Sequence, residues 1–254
     1  MKAVYGPVSS WRLGRSLGVD PICSEEKICS FDCVYCQLGI GKKTYRRKDF
    51  ISLEKLKKDL SEIKKVKADI ITFSGTGEPT LAKNLGEMID YIKTVSDLPL
   101  AILTNSSFLS EKDVRQSLHR LDSVVAKLDA SNEKIFREIN KPHKTINFAK
   151  YLEGIRLFRK NYKGKFALQI MLIDINKGFT PEIVELAREL NPNEVQINTP
   201  LRPCAVNPLS KEELRKIKDA FSGFKNVVSV YEAEKPEVHP ISIEEVKKRK
   251  RPEP

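Results

Sequence analysis

The sequence predicts an α/β fold, a parallel sheet covered by helices and curled into a partial (β/α)6 barrel. Three observations carry this prediction. Short apolar runs of strand length recur along the chain; each is followed by a stretch whose apolar residues return every three or four positions; capping residues, Gly and Pro punctuate the joins. Runs such as DIITF (69–73), LAILT (100–104) and SVVAKL (123–128) are nearly unbroken, as in strands buried on both faces, whereas an antiparallel sandwich alternates apolar and polar residues.

In chain order, LGVDPI (17–22) reads as a short strand leading into a cysteine-bearing loop. Leu53, Leu56, Leu60, Ile63 and Val66 then share one helical face, with Lys and Glu on the other. Strand 69–73, a helix near 82–94, strand 100–104, a helix from about 111 opened by Ser110, strand 123–128, a helix near 146–161 and strand FALQIML (166–172) follow. Thr180 ahead of Pro181 and Glu182 opens the next helix, EVQIN (194–198) is a strand, and Ser210 with Glu213 forms a capping box. VVSVYE (227–232) is the last strand, and Ser242 with Glu245 begins a short helix. Neither a repeat nor a linker divides the chain, so residues 1–240 are expected to form one domain and 241–254 a short helix with a basic tail. The run VKKRKRPEP is expected to be solvated and frayed.

The 254 residues are 40% apolar and 31% charged, the balance of a soluble globular protein. The opening MKAVYGPVSSWRLGRSLGVD lacks the apolar core and small-residue cleavage site of a secretory signal, and no stretch approaches the ~20 apolar residues of a membrane span. A cytoplasmic location, with no membrane partner, is therefore expected. A reducing compartment turns the five cysteines away from disulfides and towards metal binding or a catalytic thiol. The net charge of +11 makes nucleic acid or another polyanion a plausible partner, although a lysine-rich surface also serves solubility.

The strongest chemical signal is CSFDCVYC, where Cys29, Cys33 and Cys36 stand at the spacing C-x3-C-x2-C on the loop after the first strand. Thiolates at these offsets on a short loop can each reach a different iron of a [4Fe–4S] cubane and leave the fourth iron open. A zinc site is the competing reading; it needs a fourth ligand, and His119, His143 and His239 are distant while Cys23 is near. Strand 69–73 ends in SGTGEPT (74–80), where two glycines permit a tight turn against a ligand, Glu78 offers an acceptor and Pro79 stiffens the exit. A plain turn accounts for the same residues.

The triplet, with Tyr35 ahead of its third cysteine, resembles the radical S-adenosylmethionine (SAM) superfamily, and so does its placement one α/β unit before SGTGEPT. The resemblance implies a partial barrel of the radical SAM type. It also implies that the open iron is chelated by the amino and carboxylate groups of SAM, and that an electron from the cluster cleaves the sulfonium. The resulting 5′-deoxyadenosyl radical abstracts hydrogen from a substrate. Gly75, Thr76, Gly77 and Glu78 then correspond to a Gly-Gly-Glu-Pro-like element that binds the SAM amino group, with Thr76 in place of one glycine. Of the other strand ends, Asn105 and Ser106, Lys127 and Asp129, and Gln196 and Asn198 supply polar groups; Asp129 suits ribose hydroxyls and Lys127 the SAM carboxylate. The glycine-bearing motif that many superfamily members carry on the fifth strand is not evident in LQIMLIDIN.

YGPVSSWRLGRSLGVDPI, CVYCQLG, LDASNEKIFREINKPH (128–143) and QINTPLRP (196–203) together resemble the branch grouped with wyosine-type tRNA base synthases. Those enzymes carry further N-terminal cysteines for a second cluster, whereas this chain has only Cys23 upstream of the triplet. By this resemblance the substrate is a tRNA base, with Arg12, Arg15 and the run GKKTYRRKDF (41–50) holding phosphates and stacking a base. A solvated lip or a site for a small anionic substrate accounts for the run equally well. The rival function is modification or activation of a protein or cofactor, and a non-enzymatic Fe–S electron carrier is a minor alternative. An electron donor such as ferredoxin or flavodoxin is the expected partner. Cys204 and Arg202, after the sixth strand, are candidates for hydrogen donation and anion clamping, while Cys23 reads as packing or an adventitious iron ligand.

Overall fold

A computed structural model describes residues 1–63 and 66–250. Its centre is an eight-stranded sheet curled into a half-barrel, in the order β1 (Val4–Ser10), β2 (Gly14–Val19), β5 (Ile70–Phe73), β6 (Leu100–Thr104), β7 (Ser123–Lys127), β8 (Lys165–Met171), β9 (Glu194–Asn198) and β10 (Val227–Ser229). All neighbours run parallel except β1, which returns antiparallel along β2. A two-stranded sheet, β3 (Ile28–Cys29) with β4 (Lys42–Lys43), flanks the cysteine loop.

Alternation along the strands divides their residues between two faces. Leu17, Val19, Ile71, Phe73, Ile102, Val124, Leu168, Ile170 and Ile197 join the hydrophobic core. Against them pack Leu56 of α1 (Leu53–Ser61), Ile89 of α2 (Leu85–Val95), Val114 of α3 (Lys112–Leu118), Phe158 of α5 (Phe148–Asn161), Ile183 of α6 (Thr180–Leu190) and Leu214 of α7 (Lys211–Asp219). The intervening positions carry the small or polar residues Ser16, Gly18, Thr72, Ala101, Ser123, Lys127, Gln169 and Gln196, together with Ile70, Leu103, Val125 and Met171. Ser16 Oγ donates to Thr72 Oγ1 at 2.7 Å across this face. Towards the ends of β7 to β9 this face carries Lys127, Gln169, Met171 and Asn198, which border a chamber.

Several boundaries differ from the sequence expectation for identifiable reasons. The strand expected at 17–22 ends at Val19, because the Asp20 carboxylate accepts from the backbone N–H groups of Ile22 and Cys23 and turns the chain. Strand β1 was unforeseen: Gly6 and Pro7 interrupt its pattern, and Pro is tolerated there because β1 is an edge strand whose register shifts between Tyr5 and Val8. Helix α4 (Glu133–Asn140) was also missed; Asn132 caps it, accepting from Ile135 N at 3.0 Å. Ser110 is not the cap of α3, whose N-cap is Glu111, and Thr180 is the first residue of α6, its hydroxyl donating to Lys177 O. Helix α1 stops at Ser61, ahead of Ile63 and Val66; Lys64 and Lys65 lie outside the described residues. The capping box of Ser210 and Glu213 forms with both of its bonds.

The C-terminal segment crosses from β10 to β1 and bridges the open side of the half-barrel. Ser9 Oγ donates to Pro236 O at 2.6 Å and Ile241 N to Gly6 O at 2.7 Å, after which α8 (Ile243–Lys248) packs on β1. Arg249 is fully buried and corrects the expectation of a frayed tail: it donates to Asp20 Oδ2 (3.0 Å), Glu245 Oε2 (3.1 Å) and Lys2 O (2.5 Å), with its guanidinium 4.2 Å over the Tyr5 ring. A charge count along the sequence does not reveal carboxylates that folding brings to one cation. Residues 251–254 of that run lie outside the described residues. No helix among the described residues is long and apolar enough to cross a membrane.

Removing one partner of a buried ion pair strands the others. Arg249→Met is therefore expected to destabilise the fold by about 3–5 kcal/mol in urea unfolding, against less than about 0.5 kcal/mol for Lys216→Met on the exposed face of α7. Stability should also fall in acid through Glu245. Burial raises this carboxyl, but the Lys248, Lys2 and Arg249 donors outweigh it and hold the pKa at about 2, below the ordinary 4.5. A depressed folded-state pKa contributes stability that is full above 4.5 and lost as the pH falls towards 2. Unfolding measured at stepped pH should show this loss in the parent chain and a smaller one in Glu245→Gln.

Candidate active site at the C-terminal ends of the strands

The cysteine loop leaves the β2 end and is held from two sides. On one, Ile28 N donates to Thr76 O (3.1 Å) and Glu78 N to Ile28 O (3.2 Å), so the loop is sewn by backbone to the SGTGEPT segment. On the other, Asp32 N and Val34 N donate to the carbonyls of Asn140 and Ile139 at the end of α4, where Lys141 turns left-handed. Cys36 N closes a turn onto Cys33 O at 3.0 Å.

All three thiols are partly buried and unpaired by disulfides. Asn105 Nδ2 lies 3.5 Å from Cys29 Sγ, and Asn140 Nδ2 lies 3.5 Å from Cys33 Sγ. Burial pushes the Cys29 thiol up, with Glu78 adding to it, and pushes Cys33 up to about 11 with the help of Asp129. Two cations oppose this rise, Lys27 at Cys29 and Lys127 at Cys33. Lys27 is 7% exposed and donates to Asp32 and to Gly39 O (2.9 Å); burial opposes its charge, but Cys36, Cys29 and Asp32 outweigh it and raise its pKa. Sequence reasoning missed both Lys27 and Asn140. The first carries no signal beyond standing two residues ahead of Cys29, and the second depended on recognising α4.

Gly75 and Gly77 are required by approach of the chain to itself. A Cβ on Gly77 would sit 1.7 Å from Ile28 O, and one on Gly75 would sit 2.0 Å from Asp20 Cγ. Thr76 is 2% exposed and gives both its N–H and its hydroxyl to Asp20 Oδ2. Glu78, also 2% exposed, accepts from Thr80 N, Thr80 Oγ1 and Thr104 Oγ1 on one oxygen and from Asn105 N on the other. Burial raises its pKa against these donors. Any group this segment offers a ligand is therefore backbone, and Glu78 acts by fixing the Asn105 turn.

Asp129 is likewise a hub inside the protein. It is 1% exposed and accepts from Tyr35 Oη, Asn140 Nδ2 (2.9 Å) and Met171 N (2.7 Å), with Lys127 Nζ at 3.7 Å. Lys127 Nζ lies 4.8 Å over the Tyr35 ring. Asn105 bonds to Ser30 Oγ (2.8 Å), and Ser106 is buried against the Lys127 backbone. Gln196, 1% exposed, keeps an Oε1 with no hydrogen-bond partner beside Gln169 in the sheet.

Beside these elements lies a chamber of about 500 Å³ whose walls include Tyr35 and Gln37, flanking Cys36, with Lys127, Met171, Asn198, Trp11, Arg12 and Arg202. Arg202 donates to Gln37 Oε1. Cys204, expected at the barrel mouth, is not among the chamber walls; its thiol donates to Val206 O. Cys23 is packed against Met1 O and Arg249, away from the triplet. Part of the basic lip is engaged within the chain: Tyr45 stacks on Phe108 (4.8 Å) and His143 (6.1 Å), Arg47 pairs with Asp113, and Arg15 pairs with Asp69 below β5, while Lys42, Lys43, Arg46 and Lys48 are exposed.

Among the described residues no three His, Cys, Asp or Glu side chains converge as ligands of a single metal ion, so the zinc reading finds no donor set. The soft thiol donors, the buried Lys27 ammonium facing them and the adjoining chamber fit an iron–sulfur cluster with a small-molecule cofactor beside it. Residues 27–190 match the sequence profile of the Radical SAM superfamily. A UPF0026 protein of Methanocaldococcus jannaschii is 41% identical over 233 residues, 87% of this chain and 72% of the relative, and one of Synechocystis is 41% identical over 212 residues, 83% and 78%. The crystal structure of Streptococcus suis SuiB, 13% identical, shares the fold with a TM-score of 0.65 over 85% of this chain and 49% of its own. The chain thus belongs to the UPF0026 family and to the radical SAM superfamily, as an enzyme whose cofactors are a [4Fe–4S] cluster and SAM.

Proposed function

We propose that Cys29, Cys33 and Cys36 hold the cluster and that the enzyme abstracts hydrogen from a substrate bound in the chamber beside them. The observation that carries this reading is that Tyr35 and Gln37, on either side of the third cysteine, form part of the chamber wall. When bound, the cluster supplies the electron that cleaves SAM and so delivers a hydrogen-abstracting radical.

The protein's own residues prepare the site. Lys27 balances thiolate charge, and Asn105 and Asn140 donate towards two of the sulfurs. Backbone groups of Gly75–Gly77 receive the SAM amino group, and Lys127, at the chamber wall, receives its carboxylate. Asp129 and Glu78 act as positioning residues: Asp129 fixes Tyr35 and the β8 end, and Glu78 fixes Asn105. An electron donor such as ferredoxin or flavodoxin reduces the cluster. A tRNA base, the substrate favoured by the sequence resemblance, needs surface contacts other than Tyr45, Arg47 and Arg15, whose side chains already serve the fold. A substrate that enters the chamber is better supported.

Anaerobic reconstitution with iron and sulfide, reduction with dithionite and assay of 5′-deoxyadenosine test this reading. Alanine at Cys29, Cys33 or Cys36 should reduce deoxyadenosine to background, whereas Cys23→Ala should retain most of it; cleavage that survives Cys33→Ala would falsify the assignment. Asp129→Asn keeps the volume but weakens the grip on Tyr35 and Met171. It should slow SAM cleavage by about tenfold, equivalent to roughly 1.4 kcal/mol of lost positioning, with iron content unchanged.

A further inference from the structure

We propose that the chamber's substrate is recognised through an uncharged amide edge, an N–H beside a C=O, by the carboxamides of Gln169 and Asn198. This rests on the reading of the chamber as the place of reaction. Gln169 on β8 and Asn198 on β9 both border the chamber. Its other polar residues are largely engaged. Lys127 lies beside Asp129 and over Tyr35, Arg12 lies over Trp11, and Arg202 donates to Gln37. Gln37 also donates to Arg249 O, Ser9 donates to Pro236 O, and Thr199 donates to Leu172 O and accepts from Leu209 N. Lys235 and Glu237 are exposed to solvent. Gln169 and Asn198 differ: among the described residues neither carboxamide has a hydrogen-bond partner.

Their surroundings make this unusual. Asn198 is 8% exposed, and two positions before it on the same face of β9 stands Gln196, whose buried Oε1 also meets no donor. Gln196 is opposite Gln169 in the parallel register. A buried amide left without a partner destabilises the fold, and most such groups in proteins are satisfied. Packing alone does not account for three carboxamides on one face of two adjacent strands, since Leu or Met fills the same space at no such cost. A carboxamide offers an acceptor oxygen and a donor NH2 in one plane. It therefore pairs with a group that presents one donor and one acceptor side by side, whereas a carboxylate or phosphate presents acceptors alone. Met171, Leu201 and Val230 in the same walls suit an apolar body behind that edge. The chamber of about 500 Å³ falls within the range of small-molecule pockets, ~300–1,000 Å³. In the proposed arrangement SAM meets the segment after β5 and Lys127 on β7, while the amides stand farther round the sheet on β8 and β9.

Cluster-loaded protein saturated with SAM is titrated calorimetrically, without oxygen, with benzamide and with δ-valerolactam. Three controls accompany them: N,N-dimethylbenzamide and N-methyl-δ-valerolactam, which lack the N–H, and benzoate, which puts a charge in place of the amide. Saturable binding of benzamide or δ-valerolactam, weakened about tenfold or more by N-methylation, is expected, and the preferred probe tells an open carboxamide from a ring lactam. Gln169→Leu and Asn198→Leu should each weaken that binding about tenfold, because the ligand's own polar group is then left unmet. The urea midpoint of the ligand-free variants should stay unchanged or rise, since an unpartnered amide has been removed. No binding of either amide, methylated probes or benzoate that bind as tightly, or variants that bind as the parent does would overturn the proposal. A lowered urea midpoint in both variants would overturn it by making the amides structural. Weakened SAM binding in either variant, titrated separately, would overturn it by giving the amides to the cofactor. The 5′-deoxyadenosine assay on the parent protein reads the reaction itself: no cleavage with amide binding intact would sink the proposed reaction and leave the amide site standing.

Discussion

The buried carboxylate of Asp20 is the constraint on which the rest of the structure depends. A charge with no access to water must be met by donors, and Asp20 collects them from three parts of the chain. It turns its own strand end through Ile22 N and Cys23 N, takes the N–H and hydroxyl of Thr76, and pairs with Arg249. Gly75 is glycine because Asp20 occupies the place of its Cβ. Thr76 O in turn receives Ile28 N at the start of the cysteine loop. One carboxylate thus joins the first parallel strand, the SGTGEPT segment, the cysteine loop and the C-terminal helix. The same helix reaches the chamber by a second route, since Gln37 donates to Arg249 O and accepts from Arg202.

Glu78 and Asp129 follow the same physical logic. Each is an acid at a strand end where a ligand is expected, and each has its oxygens committed to internal donors. Acids in these places act through what they hold: Glu78 sets the turn at Asn105, and Asp129 sets Tyr35 and the β8 end. The chamber walls include cations, amides and aromatic rings beside apolar residues such as Met171, Leu201 and Val230.

The chamber itself follows from strand composition. The core face of the sheet carries Leu, Ile, Val and Phe that close-pack with the helices; on the other face the Tyr5 ring covers Gly18, while Lys127, Gln169, Met171 and Asn198 at the ends of β7 to β9 border the chamber. The half-barrel stays open between β10 and β1 until the segment after β10 crosses the gap, so that crossing and the burial of Arg249 are parts of one arrangement.

By itself the sequence determined what depends on a few neighbouring residues. The C-x3-C-x2-C triplet, the caps at Ser210 and Ser242, and the apolar runs of β5 to β9 express backbone geometry and periodicity, and these are local. Only the tertiary structure decided the rest, because it rests on partners far apart in the chain. Asp20 meets Arg249 across 229 positions, Tyr35 meets Asp129 across 94, and Asn140 meets Cys33 across 107. Edge strand β1 was hidden by Gly6 and Pro7, which only an edge position tolerates, and α4 by the short span over which Ile135, Phe136 and Ile139 are buried. Sequence identified many of the residues chemically able to form the site but not Lys27 or Asn140; burial, fixed once the chain folds, decided which of them face the chamber and which hold it in shape.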